Sequence, residues 1–274
     1  MKQLLILFFS FLLSCQPYVH DSSMLYLKGS STMLPMARAW AEAFMLKHSG
    51  VSVYANGGGT AKGAAELARG RVDFCMASRP LLPNEARLLA ENFNTVGMAV
   101  LVAKDALSIY LNPQNPVRSL SLSQLERIYS GDITSWDQVG GDNRPIQLIH
   151  RLSNSGTFLY FKEHVLSGRP YAANGVKVMT NREMMSVVSQ HVNAIGYGGA
   201  AFGNNVLHCA VDNVLPTAEN VAGDTYPITR YLYLYSIDTP RGLQKMFVDW
   251  VLSEQGQDIV RQSGYFPIWT RNER

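Results

Sequence analysis

Residues 24–44 have the sequence MLYLKGSSTMLPMARAWAEAF, whose pattern indicates the fold class. Residues 24–28 form an apolar run that predicts a β-strand, and Pro35 opens a helix with an apolar residue at every fourth position. Between the strand and the helix lies the polar sequence Gly29-Ser30-Ser31-Thr32. Because strands that alternate with helices are typical of α/β proteins, this stretch predicts that class.

The same arrangement occurs twice more along the chain. Residues 51–55 predict a strand that leads through Gly57-Gly58-Gly59-Thr60 into a helix. Residues 146–150 predict another strand, which is followed by Arg151 and then by Ser155-Gly156-Thr157 at the start of a helix. We call residues 29–32, 57–60 and 155–157 the first, second and third polar turns.

The polar turns have the chemistry of an anion-binding site. The first turn of a helix has N–H groups without intrahelical partners and carries a partial positive charge, and small hydroxyl residues add O–H donors at the same place. Arg151 lies four residues before Ser155 and can hold an oxyanion with two donors. Each turn taken alone is more simply explained as a helix N-cap and a tight turn. The recurrence of all three favours a site for one small tetrahedral anion.

Two long apolar runs indicate how the chain is divided. Residues 96–111, interrupted by Lys104-Asp105, and residues 231–237 each predict a strand that crosses between two lobes. Each lobe is predicted to be a mostly parallel sheet flanked by helices, with the ligand in the cleft at the carboxyl ends of strands. The predicted segments are lobe I over 15–104, lobe II over 105–224, and a return to lobe I over 225–274 that includes one closing helix at about 242–262.

The N-terminus predicts export. Lys2 precedes an apolar run over residues 4–13, which is about half the length needed to cross a bilayer and therefore indicates a signal peptide over residues 1–14. The order Leu12-Leu13-Ser14-Cys15 is similar to the lipobox of bacterial lipoproteins, in which the cysteine is lipidated and becomes the first mature residue. Cys15 is therefore a predicted lipid anchor. The alternative is an ordinary cleaved signal whose small residues imitate the lipobox.

The composition argues against several other classes of protein. Without residues 1–14 the chain has 23 basic and 21 acidic residues, whereas a nucleic-acid surface needs clustered Lys and Arg. The six His residues show no metal-ligand spacing. Cys75 and Cys209 each lie in an apolar run and outside any C-x-x-C pattern, so both are predicted to be buried thiols. We expect no metal, no cofactor and no nucleic acid.

Six short motifs follow one another at characteristic spacings. They are GSSTMLP at 29–35, GGGT at 57–60 with Gly63, VDF at 72–74 followed by Ala77-Ser78-Arg79, YSGDITSW at 129–136 with Val139-Gly140-Gly141, SGT at 155–157, and AIGY at 194–197. Their order resembles, over nearly all of the mature chain, the PstS-like branch of periplasmic binding proteins, which are the substrate-binding components of bacterial phosphate ABC transporters. The resemblance implies the type II periplasmic binding fold, in which two lobes joined by hinge strands close over the ligand.

The resemblance also implies which residues contact phosphate. The positions that match are Ser31, Thr32, Thr60, Arg151, Ser155, Gly156 and Thr157. Ser78 and Arg79 are also predicted to contact the ligand, at a place where this sequence departs from some of its relatives. Some members of the family have an Asp at the place of Ser78-Arg79, and its carboxylate accepts the proton of hydrogen phosphate and so rejects sulfate. An Arg cannot accept a proton, and the stretch Leu152-Ser153-Asn154 lacks the acidic residue that many relatives have there. Selectivity against sulfate is therefore expected to come from elsewhere or to be weaker.

The function implied by the resemblance is extracytoplasmic binding of inorganic phosphate and its delivery to an ABC-type permease. The protein is expected to be a monomer that is anchored through its lipid at the periplasmic side or cell surface and has no catalytic activity. Two alternatives within the same fold are a binding protein for another tetrahedral oxyanion, such as sulfate, and a phosphate-sensing lipoprotein without a transport role. An esterase or phosphatase would need a general base, for which His150 is the nearest candidate.

Two further residues have competing interpretations. Trp136 is predicted to pack in the interior rather than to stack on a ligand, because a tetrahedral anion gains nothing from an aromatic face. Arg79 is either a cation for the ligand or half of an interlobe salt bridge with an acidic residue.

Overall fold

The computed structural model describes residues 23–203 and 205–269, so the predicted signal peptide and Cys15 lie outside the described residues. The strands are β1 Met24–Gly29, β2 Ser52–Asn56, β3 Phe74–Ala77, β4 Met98–Leu111, β5 Ser119–Leu120, β6 Gln147–Arg151, β7 Val176–Val178, β8 Ala194–Gly199, β9 Leu207–Val211 and β10 Thr229–Ser236. The α-helices are α1 Leu34–Lys47, α2 Thr60–Leu67, α3 Pro83–Phe93, α4 Leu122–Ser130, α5 Gly156–His164, α6 Asn181–Gln190, α7 Ala218–Ala222, α8 Gly242–Leu252 and α9 Glu254–Gln262. Within this part of the chain, no helix combines the length and the apolar character needed to cross a bilayer.

The strands form one mixed sheet in the order β2-β1-β3-β10-β4-β8-β6-β7, with β9 paired to β4 and β5 paired to β9. Toward one end, β1 runs parallel to β2 and β3, and toward the other end β6 runs parallel to β7 and β8. Parallel neighbours need crossover connections, which the helices supply. The carboxyl ends of the parallel strands therefore share an edge within each group, and there the chain enters α1, α2 and α5.

Two long antiparallel strands connect the two groups of parallel strands. The first part of β4 pairs with β10, from Met98 to Ala106, and its last part pairs with β8, from Leu107 to Leu111. The β10 strand pairs with β3 and β4, and its register shifts between Leu232 and Tyr233. The crossing strands predicted from the apolar runs at 96–111 and 231–237 are thus present as β4 and β10.

Each group of strands has its own apolar core. On the lobe I side, α1 packs against α8 through Phe44 and Phe247, whose ring centroids are 5.2 Å apart, and Trp40 donates a hydrogen bond to the Gly256 carbonyl. On the lobe II side, Phe161 stacks on Tyr197 at 4.1 Å. Large buried aromatic side chains contribute much of the stability of such cores. The lobe boundaries at 104/105 and 224/225 stay predictions.

The closing helix differs from the prediction. The segment predicted as one helix over 242–262 forms two helices, α8 and α9, which are separated at Ser253. Ser253 has extended backbone angles, and its hydroxyl oxygen accepts a hydrogen bond from the Gly256 N–H. Because Ser competes for backbone hydrogen bonds and is a preferred N-cap, it ends one helix and starts the next.

A candidate anion-binding site between the lobes

The first two polar turns are fixed to each other and to β3. The Ser30 N–H donates to the Met76 carbonyl at 2.8 Å, and the Gly59 N–H donates to the Gly29 carbonyl at 2.8 Å. Gly29 has a φ of 143°, and a Cβ added there would lie 2.2 Å from the Met76 oxygen, so glycine alone fits this position. The N-termini of α1 and α2 are therefore held side by side.

These two helices begin without a capping side chain from the residues that the structure describes. The N-cap residues are Met33 for α1 and Gly59 for α2, and neither provides a side-chain hydrogen bond. By contrast, α4 is capped by Ser121 and α6 by Thr180. The first N–H groups of α1 and α2 are therefore left to a ligand or to water.

The first polar turn meets the third across the cleft. Thr32 Oγ1 and Thr157 Oγ1 are 3.2 Å apart, and both residues are buried. Asn154 Nδ2, one residue before the third turn, donates to the Gly58 carbonyl of the second turn at 3.4 Å. The two lobes therefore touch at their polar turns, as in a closed binding protein.

The absence of a side chain at Gly156 allows the third polar turn to pack closely against the second. A Cβ added at Gly156 would lie 2.5 Å from both Thr60 Oγ1 and Ser78 Oγ. The Ser78 N–H donates to Thr60 Oγ1 at 3.3 Å, and both residues are buried. Of the residues predicted from the sequence, Thr32, Thr60, Ser78, Gly156 and Thr157 thus lie together.

Ser31 and Ser155 use their hydroxyl groups within their own lobes. Ser31 Oγ is half-buried and accepts a hydrogen bond from the Gly58 N–H at 3.4 Å. Ser155 is the N-cap of α5, and its Oγ accepts from the Thr157 N–H at 3.2 Å. Their contacts with a ligand stay predictions.

Arg151 is buried, and two of its donors are occupied within lobe II. Nη1 donates to Asn181 Oδ1 at 2.7 Å and Nη2 to the Met179 carbonyl at 2.6 Å, while Nε has no partner among the described residues. Burial lowers the pKa of Arg151 to about 10, and the charge of Arg230 acts in the same direction. Because an adjacent anion would oppose both effects, it would stabilise the charged guanidinium.

Arg79 forms an ion pair inside lobe I. Its Nη1 and Nη2 donate to Glu85 Oε2 and Oε1 at 2.8 and 2.7 Å, and both side chains are buried. Glu85 Oε2 also accepts from the Leu82 N–H at the start of α3. Arg79 is thus half of a salt bridge, but its partner is a neighbour in the chain and not a residue of the other lobe, so the predicted interlobe position is wrong. A direct contact of Arg79 with a ligand stays a prediction.

Arg230 and Asp105 lie beside the candidate site, and the sequence analysis did not identify them. Arg230 Nη1 donates to Thr157 Oγ1 at 3.0 Å. Its Nε and Nη2 donate to Asp105 Oδ2 at 3.0 and 2.7 Å, and the two residues are direct cross-strand neighbours on β10 and β4. The sequence contains one indication of this pair, which is the position of each charge. Asp105 interrupts the apolar run at 96–111, and Arg230 immediately precedes the apolar run at 231–237.

The buried charges beside the polar turns do not balance. Arg151 and Arg230 bring two buried positive charges against the single carboxylate of Asp105, and the N-termini of α1, α2 and α5 add partial positive charge. Buried polar atoms normally have hydrogen-bond partners. Four buried side-chain atoms have no hydrogen-bond partner among the described residues: Arg79 Nε, Asp105 Oδ1, Arg151 Nε and Asn181 Nδ2. Arg79 and Arg151 are predicted site residues, Asp105 is bonded to Arg230, and Asn181 is bonded to Arg151. An anion in the cleft would compensate the excess positive charge.

Four other residues that the sequence analysis considered lie in the interior. Trp136 is buried and its Nε1 donates to the Asn193 carbonyl at 2.9 Å, which confirms the packing interpretation. Cys75 and Cys209 are buried free thiols, as predicted. His150, the candidate base, is bonded through Nδ1 to the Arg151 carbonyl and its ring lies beside those of Phe158 and Tyr171.

The crossing strands, the two cores and the polar turns that meet in the cleft define a two-lobed binding protein. The profile of the PBP superfamily domain matches residues 19–255. Phosphate-binding protein PstS of Bacillus subtilis is 30% identical over 254 residues, covering 90% of this chain and 81% of that protein, and the PstS of Pseudomonas aeruginosa is 29% identical over 263 residues, covering 88% and 81%. The chain therefore belongs to the PBP superfamily and, within it, to the PstS-like family.

Solved structures agree with this assignment. A protein assigned as a phosphate ABC transporter substrate-binding protein from Clostridium perfringens, with bound phosphate, matches with a TM-score of 0.81 and 32% identity, covering 90% of this chain and 100% of that one. An ABC-type phosphate transport receptor from Vibrio cholerae matches with a TM-score of 0.74 and 28% identity, covering 89% and 100%. The two-lobed α/β fold expected from the sequence is thus confirmed.

Proposed function

We propose that this protein binds one inorganic phosphate ion between its lobes, outside the cytoplasmic membrane, and delivers it to an ABC-type permease. The observation that carries the proposal is the buried cluster in which Thr32, Thr60, Ser78 and Thr157 meet beside Arg230. The names of the relatives, which are phosphate-binding and phosphate-transport proteins, support it.

The groups in the cleft suit a tetrahedral oxyanion. Its oxygens accept hydrogen bonds, and the cluster offers hydroxyl donors, the N–H groups at the starts of α1 and α2, and guanidinium donors. Donors come from both lobes, so the set is complete only when the lobes are together. Ligand binding therefore favours closure, in which β4 and β10 act as the hinge.

We further propose that the chain is a monomeric lipoprotein whose Cys15 carries the lipid. This rests on the order Leu12-Leu13-Ser14-Cys15 at the end of the apolar run. Labelling of cells with a radioactive fatty acid should mark the wild-type protein and not Cys15→Ala. Equal labelling of the two proteins, or none of the wild type, would contradict the lipid anchor.

Binding without catalysis is the proposed activity. The relatives are named as binding proteins, and His150 Nδ1 is engaged with the Arg151 carbonyl rather than with a serine hydroxyl. A chromogenic phosphate monoester should therefore be hydrolysed no faster by the purified protein than by buffer. Turnover that is lost in His150→Gln would establish the enzyme instead.

The proposed role in transport is tested by phosphate uptake. Cells that lack the protein should lose uptake at low phosphate concentration, and the wild-type gene should restore it. The double variant Thr60→Val/Thr157→Val should fail to restore it, because two of the four hydroxyls of the cluster are removed. Thr217→Val is the matched control, since Thr217 caps α7 at an exposed position, and it should restore uptake. Normal uptake without the protein would contradict the transport role.

A further inference from the structure

A second group of basic residues lies on lobe II, outside the cleft. His150, Lys162 and Lys177 line a cavity of about 300 Å³ together with the rings of Phe158 and Tyr171. No acidic residue of the described chain lines this cavity, and neither of its lysines forms an ion pair with a described residue. A concave surface with three basic groups and no acid attracts anions.

The fold brings the three basic residues together. His150 and Lys177 are direct partners in the parallel pairing of β6 with β7, so their side chains lie on the same face of the sheet. Lys162 is four residues from Phe158 on α5, and the ring of Phe158 lies 5.8 Å from that of His150. Arg151 follows His150 on β6 and therefore points to the opposite face, so the cavity is separate from the cleft.

His150 has a ring nitrogen that the protein does not use. The side chain is only 5% exposed, and Nδ1 lies 3.0 Å from the Arg151 carbonyl oxygen. Because a carbonyl only accepts, Nδ1 carries the proton, and Nε2 has no hydrogen-bond partner among the described residues. A Cβ added at Gly175 would lie 2.7 Å from Nε2, so the glycine leaves this edge of the ring uncovered. Buried polar atoms normally have partners, so Nε2 is available to a ligand.

The rest of the cavity wall is aromatic. The rings of Phe158 and Tyr171 stack at 4.3 Å, and the Tyr171 ring lies 5.1 Å from that of His150. The Tyr171 hydroxyl donates to the Phe158 carbonyl and contacts the Tyr197 hydroxyl, so its polar end is occupied within the lobe. A matching ligand therefore has a flat apolar part beside its charge, and the volume limits it to a small molecule.

We propose that this cavity is a second binding site, which takes a small aromatic carboxylate. The carboxylate lies among His150, Lys162 and Lys177, and the aromatic ring of the ligand packs against Phe158 and Tyr171. The site goes beyond the proposed phosphate function and does not depend on it.

Binding is coupled to a proton. Burial lowers the pKa of His150; its hydrogen bond with the Arg151 carbonyl acts in the opposite direction, and the charge of Lys177 lowers the pKa further. The other ionisable groups that face the ring are Lys162 of α5 and Tyr171. A bound carboxylate raises this pKa, so the imidazole takes up a proton from solvent and Nε2–H donates to the ligand. Affinity therefore increases as the pH falls from about 8 to about 5.5.

The test is an NMR titration of the mature protein with benzoate in phosphate-free buffer. We expect a dissociation constant of about 1 mM or lower at pH 5.5, at least about fivefold weaker binding at pH 8, and shifted amide signals at residues 171–177. Benzyl alcohol, which has the ring without the charge, should bind at least about tenfold more weakly. No binding, equal affinity at the two pH values, equal affinity for benzyl alcohol, or shifts at Thr60 and Thr157 instead would each overturn the inference.

A pair of double variants separates this site from a general effect of charge. Lys162→Gln/Lys177→Gln should weaken benzoate at least about tenfold and change phosphate affinity less than about threefold. Lys47→Gln/Lys245→Gln is the matched control, because it also removes two lysines but from exposed positions on α1 and α8. Equal weakening of benzoate in the two double variants would overturn the inference. A wild type that binds benzoate but no phosphate would contradict the proposed function alone.

Discussion

Arg79 and Arg230 are both buried arginines paired with a carboxylate, yet they have different surroundings. Arg230 keeps one Nη for Thr157 in the third polar turn, whereas both Nη atoms of Arg79 bind Glu85 of the same lobe. Removing one partner of a buried ion pair leaves an uncompensated charge and typically costs about 3–5 kcal/mol of stability. Arg79 is therefore expected to contribute to folding more than to affinity.

We predict that Arg79→Met lowers the free energy of unfolding by about 3 kcal/mol and changes phosphate affinity less than about threefold. Urea denaturation and calorimetric titration measure the two quantities. The double variant Arg79→Met/Glu85→Leu should recover most of the lost stability, because it leaves no unpaired charge. A loss of affinity above about tenfold in a variant of normal stability would place Arg79 at the ligand.

The local sequence reveals only part of the candidate site. The polar turns were predictable because an N–H-rich helix start and small hydroxyl residues are adjacent in the chain. The pair of Asp105 and Arg230 was not, because it joins residues 125 positions apart, and their contact follows from the register of β4 with β10. Likewise, the sequence places Arg151 beside the third turn but does not reveal that Asn181 and Met179 occupy two of its donors.

Among the secondary-structure elements, α5 begins where the two lobes are in contact. Gly156 is the first residue of α5, and its missing side chain leaves room for Thr60 and Ser78 of the opposite lobe. Alanine stabilises helices relative to glycine by roughly 1 kcal/mol. A methyl group at this position should therefore hinder closure without harming the helix.

We predict that Gly156→Ala weakens phosphate binding at least about tenfold while the unliganded protein stays as stable as the wild type or becomes more stable. Gly223→Ala is the control, since the nearest atom to its added Cβ is a backbone oxygen at 3.3 Å, away from the cleft. Calorimetric titration of both variants measures their phosphate affinity, and thermal denaturation measures their stability. If Gly156→Ala binds phosphate as the wild type does, the lobes do not close through this contact.

Element positions were predictable where the local pattern is strong. The apolar run at 96–111 corresponds to β4, and the serine at 121 caps α4 as its preference indicates. The division of the closing segment into α8 and α9 was missed, because an apolar face continues on both sides of Ser253 and only the backbone angles of that residue show the break. The strand pairing across the hinge depends on contacts distant in sequence, which periodicity does not encode.

At the level of the whole molecule, two histidines that are shielded from solvent, the buried His150 and the half-buried His208, make stability depend on pH. Burial lowers the pKa of His150 and of His208, whose Nδ1 is 2.8 Å from Ser108 Oγ. Each histidine takes up a proton more readily in the unfolded chain, so its contribution to stability is present above its unfolded pKa of about 6.5 and is lost as the pH falls through the lower, folded value.

We predict that the free energy of unfolding decreases as the pH is lowered from 7.5 toward 5, and that His150→Gln/His208→Gln reduces this dependence. The exposed His191 supplies the control His191→Gln, which should keep the wild-type slope. Denaturant titrations at several pH values give the slopes. If the free energy of unfolding depends on pH equally in the double variant and in the wild type, these histidines do not cause the loss of stability at low pH.

The proposed phosphate site lies between the two lobes and is formed by the three polar turns and buried arginines. Calorimetric titration of the purified mature protein with inorganic phosphate tests it most directly. We predict one phosphate bound per chain with a dissociation constant of about 1 μM or lower, which corresponds to about 8 kcal/mol. No detectable binding at millimolar phosphate, in a protein that titrates with a different anion, would contradict the account.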